Sequence, residues 1–149
     1  MKKPLIALLP LLLLVGCTSE PNVSWQQDNR ITIADTRIEL ASNLWINQMP
    51  TLGESQQDNL HGALYLSSDR DLPASLTVSE LTIKQGDQEW KIDGDLLELR
   101  THSENKWEIA FVWQANFDPE KNVDLLVELD NHGKREWLVE RNITIDKVF

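Results

Sequence analysis

Three observations predict an antiparallel β-sandwich. Short segments alternate apolar and polar residues with period two. Turn residues separate them at short intervals. Beyond the first 16 residues no stretch carries the period of a long amphipathic helix.

The elements follow in order. Ile31 and Ile33 share one parity while Ile38 and Leu40 share the other, and the slip at Asp35-Thr36 predicts a tight hairpin or a bulge. Ala41 to Ser55 shows no clean period. Leu60, Gly62, Leu64 and Leu66 then line one strand face, before a polar turn over Ser67 to Pro73. Leu76 and Val78 alternate, but the phase slips at Glu80 and resumes at Leu81 and Ile83, as in a strand that bends or crosses between sheets. Gln85-Gly86-Asp87 and Asp93-Gly94-Asp95 are turn signals around Trp90 and Ile92. Leu97, Leu99 and Thr101 make the next run. Trp107, Ile109, Phe111 and Trp113 then form the clearest strand face, with Ala110 and Val112 opposite, which places this strand inside a sheet. Asp118-Pro119 turns the chain. Val123, Leu125, Val127 and Leu129 face inward, and Asn131-His132-Gly133 closes a hairpin to Trp137, Val139, Ile143 and Ile145. Seven to nine short strands result, the pattern of an immunoglobulin-like sandwich, with a closed barrel as the alternative.

The usual disulfide of that fold is impossible, because Cys17 is the only cysteine. Packing alone must hold the domain, and six tryptophans suit that task. Trp90, Trp107, Trp113 and Trp137 are expected in the core, since the last three share parity with Ile, Phe and Val.

The leader sets the address. Lys2 and Lys3 precede an apolar run from Leu5 to Val15. That run is shorter than the ~20 residues of a spanning helix, so it reads as a signal-peptide core. Leu14-Val15-Gly16-Cys17 resembles the lipobox of bacterial lipoproteins. The resemblance implies cleavage before Cys17, diacylation of its thiol and acylation of the new amino terminus. Multiple acyl chains give stable anchoring where one gives only marginal binding. Thr18 stands where an aspartate tends to retain such proteins in the inner membrane, so the resemblance implies an outer-membrane lipoprotein facing the periplasm. The expected organisation is a signal peptide over 1–16, a lipidated tether over 17–29 interrupted by Trp25, and a sandwich over 30–149.

Fourteen basic against 24 acidic residues leave a formal charge of −10, and loss of Lys2 and Lys3 takes it to about −12. Such acidity disfavours nucleic acid and anionic membrane surfaces as partners.

No catalytic constellation emerges. There is no G-x-S-x-G, and His61, His102 and His132 stand in separate segments with no adjacent nucleophile. Their spacing fits no familiar metal pattern, and only Met49 outlives removal of the leader, which disfavours copper. Asp69-Arg70-Asp71 and Asp93-Gly94-Asp95 offer paired carboxylates for calcium, although turns use the same residues for conformational reasons. No enzyme, cofactor or metal site is expected.

Asn43-Leu44-Trp45-Ile46-Asn47-Gln48-Met49-Pro50 is too apolar for a plain surface loop and too irregular for a strand. L-W-x-N-x-M-P resembles a motif of small exported bacterial proteins of unassigned function, which implies an address and no activity. As an end loop it would plug the sandwich with Trp45 and Met49. Alternatively Asn43, Trp45, Asn47, Met49 and Pro50 would form a partner or ligand loop, since recognition on sandwiches favours end loops. The expected role is a non-catalytic interaction or accessory module in the envelope. The alternative is a binder of calcium or carbohydrate.

Overall fold

A computed structural model of the chain describes residues 25, 27–48 and 59–149. Cys17, the leader, Met49 and Pro50 lie outside them, as does the tether up to residue 24.

Ten strands follow one another: β1 (Arg30–Ile33), β2 (Thr36–Asn47), β3 (Asn59–Ser68), β4 (Leu76–Gln85), β5 (Gln88–Asp93), β6 (Glu98–Ser103), β7 (Lys106–Gln114), β8 (Val123–Asn131), β9 (Lys134–Ile143) and β10 (Ile145–Val148). They form two layers. The larger sheet has the order β1-β2-β3-β7-β6, with β10 also on β2, and the smaller has β5-β4-β8-β9. All pairings are antiparallel except β10 on β2. The protein is an immunoglobulin-like β-sandwich without a disulfide.

The turns follow from backbone sterics. Ala34 and Asp35 both have positive φ, 48° and 61°, so the slip there is a two-residue hairpin of the kind whose twist matches its strands. His132 and Gly133 repeat it at 53° and 83°. The slip at Glu80 is a bulge within β4 between Val78 and Glu80, and the strand stays in the smaller sheet. A second bulge explains why Arg141 interrupts the apolar alternation of β9. Val123 pairs Ile143 and Leu125 pairs Glu140, so β9 carries an extra residue, with Asn142 at φ 56° and its N–H on the Asp124 carboxylate at 2.9 Å.

The core is built from Leu and Ile. Ile38, Leu40, Leu44, Ile46, Leu64 and Leu81 are among the side chains with no exposed surface. The tryptophans are not its centre. Trp90, Trp107 and Trp113 are half-buried and pack around the core as a rim. Trp137 corrects the sequence expectation: it pairs with Glu128 and stands on the outer face of the smaller sheet, with Val139 on the same face. Parity with an apolar neighbour misleads here because Leu126 and Val139 form a second buried patch outside the sheet, away from the main core.

The chain enters through that region. Asn29 exchanges hydrogen bonds with Leu40 of the larger sheet, and the Asp28 carbonyl accepts from the Val139 N–H of the smaller one. Arg141 donates to the Trp25 and Gln27 carbonyls, and the Lys84 ammonium sits 5.4 Å from the Trp25 ring centre. Trp25 therefore docks on the domain.

Candidate functional site

Asn43 to Asn47 are not an end loop. They are the second half of β2, in a continuous twelve-residue strand. Their alternation is regular once two residues are placed correctly. Ser42 is polar yet points inward, donating its hydroxyl to the Glu140 carboxylate, and Trp45 is apolar yet points outward. Leu44 and Ile46 are fully buried on the core side, while Asn43, Trp45 and Asn47 lie on the outer face. Trp45 is thus neither a plug nor a loop anchor.

Register fixes its neighbours. Trp45 pairs with His61 of β3, and His61 pairs with Val112 of β7. The two rings stack with centroids 5.6 Å apart and planes 12° from parallel. Val112 beside them is 57% exposed, large for an apolar side chain in an interior strand. The next row holds Asn43, Ala63, Ala110 and Glu98, whose short central side chains leave a shallow floor. The third holds Ala41, Tyr65, Glu108 and Arg100. Strands about 4.8 Å apart make this face roughly 14 Å wide from β2 to β6.

The third row is a polar network. Glu108 is only 8% exposed although it faces away from the core. Arg100 reaches it at 3.1 Å and grips Glu98 at 3.0 Å, and the His102 imidazole lies 3.6 Å from its other oxygen. The Tyr65 hydroxyl donates to the same carboxylate. Burial works to raise the Glu108 carboxyl, but the Tyr65 and Arg100 hydrogen bonds outweigh it and hold it below the usual carboxylate range. In return the Glu108 hydrogen bond raises the Tyr65 phenol, and burial adds to it. Lys106 covers the Tyr65 ring at 5.0 Å. Glu108 shares the face of Ala110 and Val112, whose apolar character suggests partial cover, but nothing local in the sequence names the groups that bury it. Its partners come from β3 and β6, and only register brings them together.

The remaining candidates separate cleanly. The Asp69 carboxylate accepts from the Arg37 N–H at 3.1 Å, and Asp93 caps the 3-10 turn at Gly94 by accepting from the Asp95 N–H at 3.0 Å. Asp93 serves its own turn, and Asp69 ties the turn after β3 to the start of β2. Among the described residues no three His, Cys, Asp or Glu side chains are grouped to hold a metal ion. No helix of the described residues is long and apolar enough to cross a membrane.

A second concavity, about 400 Å³, is lined by Gln27, Asp28, Asn29, Val139, Glu140 and Arg141. Burial pushes the Glu140 carboxyl above the ordinary carboxylate range, and the Ser42 hydrogen bond pulls only partly back. A raised folded-state pKa supplies stability below the unfolded value of about 4.3 and loses it as pH rises through the folded value. Neutral pH therefore carries a cost. Glu140→Gln keeps an acceptor for Ser42 and removes that cost. It is expected to raise the denaturation midpoint at pH 7, by no more than about 1 kcal/mol once solvent screening of this half-exposed group is counted. The advantage should vanish near pH 4. An advantage that is constant with pH would contradict this account.

A scan against protein-family models and a search of curated proteins find no match for this chain, so the outer face of the larger sheet must be read from its own residues.

Proposed function

We propose that this chain is a lipid-anchored envelope lipoprotein. Acylated at Cys17 and facing the periplasm from the outer membrane, it serves as a non-catalytic interaction module. Its docking surface is the outer face of the larger sheet, and its partner is a protein. The observation that carries this reading is the stacked Trp45–His61 pair beside the exposed Val112, on a floor of Asn43, Ala63 and Ala110. Tryptophan anchors interfaces because it offers a large contact area at little conformational cost. Strand pairing and ring stacking order Trp45 before a partner arrives, which lowers the entropy lost on binding. The Tyr65–Glu108–Arg100 network bounds the surface with charge, where an interface places its polar rim.

The test uses the full chain in detergent as bait for solubilised envelope proteins. Wild type should retain a protein partner and Trp45→Ala should lose it. Because Trp45 lies outside the core, the variant should stay folded, with a loss near the ~0.5–1.5 kcal/mol of an aromatic pair plus the burial energy of the part of its ring that is covered. Undiminished capture by Trp45→Ala would sink the docking assignment. A thermal upshift with calcium or oligosaccharides would instead support a ligand carrier, since a ligand at a hundred times its Kd stabilises by about 2.7 kcal/mol.

A further inference from the structure

The larger sheet outruns the smaller one at β6. Leu99 pairs with the core residue Ile109, so it faces the side the smaller sheet should cover, yet it is 48% exposed. All six residues of β6 are exposed, and among the described residues no strand pairs with its outer edge. An open edge of this kind is a template for another strand.

We infer that two copies of this chain pair through β6, antiparallel, about a two-fold axis at Leu99. The register follows from charge. Directly opposed residues share a face, so a symmetric pairing must be centred on a residue. Centred on Arg100, it sets two guanidinium groups against each other. Centred on Leu99, it sets Glu98 against Arg100 of the second copy, twice, on the outer face, so that the Glu98–Arg100 pair already formed within each copy at 3.0 Å joins its twin in one alternating four-residue cluster. On the inner face the same register apposes the two Leu99 side chains and places Leu97 against Thr101. Leu97 is already extended, at φ −98° and ψ 137°, so the pairing runs one residue beyond β6. Opposite charges and apolar pairs across strands both stabilise a sheet.

The other open edge of similar pattern is β5, with Glu89-Trp90-Lys91. There Phe117 covers Trp90 at 4.3 Å between ring centres, so no apolar surface awaits a partner. Leu99 has no such cover.

Single cysteines in the full-length Cys17→Ser chain, held in detergent, test this with a short bismaleimide. The introduced thiol is then the only one present. Leu99→Cys should give covalent dimer severalfold above Val112→Cys, although Val112 is the more exposed position. Adding Glu98→Arg, which opposes Arg100 of the second copy, should cut that yield severalfold. Glu98→Arg also removes the exposed Glu98–Arg100 pair within each copy, a surface contact that adds little to stability, so the fold stays intact, as a thermal melt will show. Cross-linking at Leu99 no better than at Val112 overturns the proposal, as does a yield indifferent to Glu98→Arg.

Discussion

Gly62→Ala is expected to destabilise the domain by about 3 kcal/mol, the upper part of the range for overpacked cores. Gly62 lies on the inner face of β3, opposite Phe111 of β7 and Leu44 of β2. A Cβ at this position would run into the Cε1 and Cζ atoms of the Phe111 ring and press on a Leu44 methyl. Phe111 is 5% exposed and enclosed by the core, so the ring has nowhere to swing. The missing side chain is therefore filled by the cross-strand aromatic. Phe111→Leu removes the two atoms that collide and, alone, should cost about 1–2 kcal/mol through the cavity it leaves. The double variant should then be more stable than the sum of the two single losses predicts, by at least about 1 kcal/mol. Denaturant midpoints of the four proteins measure this. Simple additivity would show that the ring and the glycine do not share that space.

This contact marks what the sequence made legible. Period-two alternation placed Gly62 and Phe111 each on an inner face, but their meeting depends on the register between strands distant in sequence. The same holds for Glu108, whose burial requires Tyr65 and Arg100 from two neighbouring strands. Patterns closed within a few residues were readable: the hairpin at His132-Gly133, the interruption at Glu80, the strand face from Trp107 to Trp113. Alternation failed where a residue's polarity opposed its direction. Ser42 points inward because Glu140 across the sandwich receives its hydroxyl, and Trp45 points outward because His61 offers it a stacking surface. Together they disguised a strand as an irregular loop. The alternation of Leu97, Leu99 and Thr101 marks Leu99 as strand, and it lies in β6. Its exposure follows from the unequal widths of the two sheets, a property of topology that no local window contains.

Gln85→Ala should lower stability by about 2–3 kcal/mol, because one buried amide fastens the whole connection from β7 to β8. Gln85 is 7% exposed and closes the C-terminal end of β4. Its Nε2 donates to the Asp118 carbonyl at 2.8 Å and the Lys121 carbonyl at 3.1 Å, while its Oε1 accepts from the Asp118 N–H at 2.8 Å. Each bond is worth about 0.5–1.5 kcal/mol net, and removing the amide takes this partner from the Lys121 carbonyl and the Asp118 N–H, while the Asp118 carbonyl keeps the Lys121 N–H at 3.1 Å. The connection also carries Phe117 onto Trp90, so its release uncovers apolar surface at the edge of the core. Gln85→Glu discriminates hydrogen bonding from packing. The carboxylate keeps the shape but cannot donate, and it faces two carbonyl oxygens. It should be less stable than Gln85→Ala at pH 7. Burial and the carbonyls raise its folded-state pKa, so its stability relative to Gln85→Ala improves as pH falls through that value and is fully recovered below the ordinary Glu pKa of about 4.3. Urea denaturation of both variants between pH 7 and pH 4.5 reads the trend. A gap that does not change with pH would mean that the site tolerates the loss of its donors, and that Phe117 is held in place by packing alone.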